Sequence, residues 1–191
     1  AATGDRLAPI HVGRVGDPLK PSIYDMYACS KIAAERVVIE SGLRYWVSLR
    51  QTFIALPDIL SLMDPILSLI HISEPIETRI ELITPGDAGR LLANACEEDV
   101  PEEFWRRVYN IGGGPECRVI YLEYLDRVFR LLGLGDYRKI MERRWFALRN
   151  FHCQWFEDSD VLEGYLHFRR DTLEDHLRQV WEHAPKRLQS R

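Results

Sequence analysis

Three kinds of pattern are missing from this sequence. No Gly-x-Gly-x-x-Gly or Gly-x-x-Gly-x-x-Gly occurs in its 191 residues. No turn of that type therefore brings a helix N-terminus up to a pyrophosphate. The four cysteines, Cys29, Cys96, Cys117 and Cys153, form no Cys-x-x-Cys pair and show no ligand spacing with the histidines. Reduced thiols in a cytoplasmic protein are expected, and a metal site is not. The longest apolar run, near Ile54–Ile72, is broken by Pro57, Asp58, Asp64 and Pro65, which argues against a membrane span. Charge is also nearly balanced, at −4, so no nucleic-acid footprint is indicated. Arg143, Arg144 and Arg149 make only a local basic cluster, more often a solvated face than a phosphate site. What remains is 46% hydrophobic and 28% charged, enough to build a core. The length suits one domain, or one and a half.

The informative stretch is Tyr24–Val38. It holds Tyr27 and Lys31, four residues apart, which in a helix share one face. A Lys ammonium held near a phenol favours the phenolate, and a phenol tuned that way can exchange a proton at neutral pH. The plain alternative is an exposed Tyr and Lys on a solvated helix. The neighbours add to the pattern. Ser30 precedes the Lys, Glu35 lies four residues beyond it, and Gly42 stands where a helix over 24–41 should stop. Ile32, Ala33, Val37 and Val38 or Ile39 are expected inward. Residues 45–51 then read as a buried strand.

Taken together, Tyr27, Ser30, Lys31, Glu35 and the following strand resemble the extended short-chain dehydrogenase/reductases, also called NAD-dependent epimerase/dehydratases. The resemblance runs from residue 1 to about 115 and more loosely to 180. It implies an α/β fold: the C-terminal half of a Rossmann-type doubly wound sheet over 1–115, and a small, mostly helical substrate-binding subdomain over 116–191. It implies that Tyr27 is an acid/base and that Lys31 also holds the nicotinamide ribose of NAD or NADP. It implies that a Ser or Thr hydroxyl meets the substrate, a place that Thr3, 24 residues before Tyr27, would take unless that hydroxyl lies upstream; Thr3 is equally a turn residue. Gln51, Thr52 and Phe53 follow the strand where the family touches nicotinamide and substrate. Packing is about as good a reading for Gln51 and Phe53. The sequence departs from the family by having Gln51 where a Pro often follows the Arg, and Ala55-Leu56-Pro57 where a Gly-Pro is usual. That leaves the pocket shape open. The family acts on small molecules, often nucleotide sugars, and often dimerises through the Tyr helix.

The missing glycine fingerprint leaves two expectations. The chain is the later part of a longer enzyme, or it has given up dinucleotide chemistry and serves as a binding, regulatory or protein-interaction module on the same fold.

The rest of the chain is legible in outline. Residues 1–23 carry glycines and prolines and read as a loop with a turn at Gly16-Asp17-Pro18. A helix over 57–70, kinked at Pro65, is expected. Residues 76–83 alternate, with Glu77, Arg79 and Glu81 expected outward. Thr84-Pro85-Gly86-Asp87 should open a helix, and Val108–Ile111 should be a strand leading to a Gly112–Gly114 turn. An amphipathic helix is expected over 118–132, with Val119, Leu122, Leu125, Val128, Phe129 and Leu132 inward. Asp158-Ser159-Asp160 and Asp171-Thr172 should cap two further helices, and 184–191 should be a frayed basic tail.

Overall fold

The computed structural model describes residues 12–21, 26–58, 77–97, 99–146 and 154–189. Thr3 and most of the 57–70 segment lie outside them.

Helix α1 (Met26–Ile39) leads through Gly42, at φ 71°, into strand β1 (Val47–Gln51). Strand β2 (Arg79–Glu81) and helix α2 (Pro85–Asn94) follow, then strands β3 (Arg107–Ile111) and β4 (Arg118–Ile120). Helices α3 (Tyr121–Leu131), α4 (Ser159–Leu166), α5 (Leu173–His183) and the short α6 (Lys186–Gln189) complete the order. β1 pairs in parallel with β3, Arg50 opposite Asn110. β2 pairs antiparallel with β4, Ile80 opposite Val119. Residues 52–55 and 82–83 stitch the two pairs together. The Thr52 amide donates to the Ile111 carbonyl at 3.2 Å, the Ile83 amide to Phe53 at 3.0 Å, and the Gly113 amide to Leu82 at 2.9 Å.

Two hydrophobic clusters form around this frame. One gathers Phe104, Tyr109, Ile111, Leu162, Leu166 and Phe168 between the parallel pair and α4. The other gathers Tyr124, Leu125, Val128, Phe129, Leu177 and Val180 between α3 and α5. α3 buries Tyr121, Tyr124, Leu125, Val128 and Phe129, the i, i+3, i+4, i+7 stripe of an amphipathic helix. Both clusters draw on residues from either side of position 115.

Caps follow the sequence signals in part. The Thr84 hydroxyl accepts from the Asp87 amide at 3.2 Å and opens α2. Thr172 and Asp175 form a reciprocal capping box at α5, which stabilises by about 1 kcal/mol. Asp158 precedes α4 but makes no side-chain cap. Its carboxylate accepts instead from the Val15 amide at 2.7 Å and from Asn110 Nδ2 at 2.8 Å.

Several expectations are corrected. Ala33, Val37 and Ile39 are exposed, with Val37 at 69%. Apolar residues lie all round α1, so periodicity did not select a buried face. β1 is half-buried along most of its length. Residues 118–120 are strand, and Leu122 falls at the edge of the α3 stripe, partly exposed. Residues 186–189 are helical rather than frayed. Glu81 is fully buried, because four hydrogen-bond donors converge on its carboxylate.

Candidate functional site

α1 presents Tyr27 and Lys31 one turn apart, and the Lys31 ammonium nitrogen lies 5.3 Å from the Tyr27 ring centroid. That is within cation–π range. Both side chains reach solvent, Tyr27 at 61%. Ser30 turns back along the helix, its hydroxyl donating to the Tyr27 carbonyl at 2.8 Å. The structure thus brings Tyr27 and Lys31 together as expected.

Glu35, one turn beyond Lys31, faces the sheet. It receives two hydrogen bonds from Arg50 of β1, Nε to Oε2 at 2.9 Å and Nη2 to Oε1 at 2.7 Å. Ser48 donates a third at 2.7 Å. Burial by itself would raise the Glu35 carboxyl. The Arg50 and Ser48 hydrogen bonds and the Arg50 charge outweigh it and hold the group below its ordinary range. Sequence reading passed over this pair. A charge inside an apolar strand was the available signal, since such a charge needs a partner.

Arg50 also reaches the opposite way and donates from Nη1 to the Val15 carbonyl at 3.0 Å. Val15 belongs to a strap over residues 12–17. The Gly13 amide donates to Trp155 at 2.7 Å, and the Glu157 amide donates back to Gly13 at 2.8 Å. A turn closes at Asp17, whose amide donates to the Arg14 carbonyl at 3.1 Å.

Gln51, Thr52 and Phe53 lie at the carboxyl end of β1, the edge at which open α/β sheets receive ligands. Gln51 is exposed and Thr52 buried. Phe53 packs against the α3–α5 cluster. The Thr52 hydroxyl has no hydrogen-bond partner among the described residues.

The turn after β3 belongs to Glu81. Its carboxylate accepts from the Gly114 amide at 3.1 Å, the Phe156 amide at 3.0 Å, Ser159 Oγ at 2.6 Å and Arg118 Nε at 2.9 Å. Arg169 flanks it at 4.0 Å and donates to the Gly112 carbonyl at 3.0 Å. A Cβ on Gly112 would stand 2.2 Å from Glu81 Oε1. The glycines make room for a carboxylate of the protein itself, and the following 3₁₀ turn, Pro115–Cys117, is only three residues long. A dinucleotide pyrophosphate does not fit there.

An open groove of about 730 Å³ lies beside the strap, lined by Arg14, Asp17, Arg118, Glu157 and Asp160 among others. It mixes both signs of charge and does not include Tyr27. Among the described residues there is no group of acidic, His or Cys side chains that could hold a metal ion. No helix among them is long and apolar enough to cross a membrane.

No protein-family model matches the sequence, and no curated protein matches it significantly. Solved structures do match. A dTDP-glucose 4,6-dehydratase from Bacillus anthracis, crystallised with NAD, superposes with a TM-score of 0.67 at 15% identity over 95% of this chain. A short-chain dehydrogenase/reductase superfamily protein from Agrobacterium tumefaciens, with bound NAD, superposes with a TM-score of 0.63 at 15% identity over 94% of this chain. The chain spans 58% and 64% of the lengths of these two proteins. At that identity the likeness shows the fold, which is α/β and Rossmann-type as the sequence implied.

Proposed function

We propose that this chain is part of an NAD- or NADP-dependent epimerase, dehydratase or reductase acting on a hydroxyl or carbonyl substrate, a nucleotide sugar being the first to try. The observation that carries the reading is the Tyr27–Lys31 pair, 5.3 Å apart on the helix that feeds a parallel strand. Tyr27 gives or takes the proton of the substrate oxygen. Lys31 supplies the positive charge beside the phenol and a donor for the nicotinamide ribose. Gln51, Thr52 and Phe53 border the nicotinamide at the end of β1, and Thr3 orients the substrate oxygen. The nicotinamide, when bound, exchanges a hydride with substrate carbon. Residues 1–115 serve the dinucleotide side and 116–191 the substrate side, in a cytoplasmic protein. The exposed Met26 and Val37 on α1 suit a homodimer through that helix.

The test is Tyr27→Phe in the intact protein, assayed for NAD binding and for turnover across a nucleotide-sugar panel. Binding should persist and turnover should fall by at least about a hundredfold, the low end for a lost acid/base. A variant with the wild-type rate ends the acid/base role. A binding module without turnover is the second reading, favoured by the exposure of Tyr27. It predicts NAD binding and no turnover in either form.

A further inference from the structure

The Arg50 guanidinium touches both ends of the segment containing Tyr27 and Lys31. At the near end it donates to the Val15 carbonyl. At the far end it forks onto Glu35. The Val15 amide is held from the other side by Asp158, so both backbone polar groups of that residue are fixed. Asp158 is in turn bound by Asn110, the residue opposite Arg50 in the β1–β3 register. Tyr27 and Lys31 sit inside the closed stretch 15–35, and Lys31, Glu35 and Tyr27 lie along one side of α1.

From this geometry we infer that Arg50 is a positioning residue, coupling the strap at 12–17 to α1 and so setting where that helix holds Tyr27 and Lys31. The role rests on the proposed Tyr27–Lys31 chemistry for its purpose, but the coupling is physical and stands or falls separately. A planar fork makes it possible. Guanidinium can bind a carboxylate through Nε and Nη2 while Nη1 stays free for a carbonyl, which an ammonium on a flexible stem does not reproduce. The pair is nearly dry, with side-chain exposures of 9% for Arg50 and 12% for Glu35, so neither contact is easily replaced by water.

Amide hydrogen exchange on the 191-residue chain tests the coupling without any substrate. Glu35→Gln removes a group that does not touch the strap. The coupling predicts that the amides of Gly13 and Val15 nevertheless exchange at least about tenfold faster, together with those of α1, while Tyr109 and Ile111 in β3 keep their rates. Arg50→Lys keeps the charge, loses the fork and should show the same pattern. Arg36→Gln breaks only the exposed Arg36–Glu40 pair on the same helix and should leave the strap unchanged. Unchanged strap exchange in Glu35→Gln overturns the coupling. So does equal acceleration in strap, helix and β3, which would be general destabilisation. Selective strap loosening combined with wild-type turnover in Tyr27→Phe would keep the coupling and discard the catalytic reading.

Discussion

Acid should loosen the α3–α5 core through His176. The ring is fully buried. Its Nε2 lies 2.9 Å from the Tyr124 hydroxyl, and the two rings stack with centroids 5.9 Å apart. Nδ1 has no partner among the described residues. Burial pushes the imidazole down from 6.5 to about 4, against a small opposing pull from Asp171. The folded chain therefore holds His176 neutral where the unfolded chain is already protonated. Unfolding takes up a proton between about pH 6.5 and 4, so stability falls as pH falls through that window. The gap of about 2.5 pH units, at about 1.4 kcal/mol each, makes the loss roughly 3 kcal/mol. Urea unfolding at pH 7 and pH 4 measures it. The comparison is His176→Leu combined with Tyr124→Phe, so that no buried hydroxyl is stranded. The double variant should lose about 3 kcal/mol less than wild type over the same interval. Glu35 and Asp175, both held below their ordinary range, act in wild type and variant alike and cancel. Identical pH dependence in both proteins would refute the assignment, as would an imidazole titrating near 6.5 by NMR.

Three further outcomes follow from the same contacts. Glu81→Ala removes the acceptor shared by the Gly114 and Phe156 amides, Arg118 Nε and Ser159 Oγ and should cost about 3–5 kcal/mol in urea unfolding; a loss below about 1 kcal/mol would mean the carboxylate is dispensable. Thr172→Ala removes the capping box of α5 and should cost about 1 kcal/mol, read from the same titrations; no change would show that the cap is replaced. Residues 1–191 alone should bind NAD no tighter than about 1 mM, since contacts to half a dinucleotide barely offset the lost freedom of the ligand; a micromolar constant by calorimetry would reveal a pyrophosphate site that the described residues do not show.

Local chemistry was the legible part of this sequence. Tyr27 and Lys31 met because four residues make about one helical turn. Thr84 and Thr172 capped because a hydroxyl before a helix satisfies an amide that nothing else reaches. The Gly112–Gly114 turn was placed correctly, but its purpose was hidden. Glu81 lies 33 residues upstream of Gly114, and no periodicity announces an inward carboxylate. Alternation put Glu81 on the solvent side, and tertiary hydrogen bonds overrode it. Asp158 read as a cap because Asp before a helix usually is one; two distant donors, Val15 and Asn110, compete for it successfully. α1 misled in the opposite way. Its composition is apolar all round, so its buried side is set by the Glu35–Arg50 contact and not by a stripe.

The strap has a consequence for the order in which the chain can assemble during synthesis. The Val15–Asp158 hydrogen bond joins residues 143 positions apart, whereas the Arg50 bond to Val15 spans 35. At about 5–20 residues per second, Arg50 reaches Val15 within a few seconds of translation, and Asp158 follows on the order of ten seconds later. During that interval the young strap is held from one side only, with Gly13 still waiting for Trp155 and Glu157. A chaperone or protease that meets the chain on the ribosome would find the strap joined to Arg50 and not yet to Asp158.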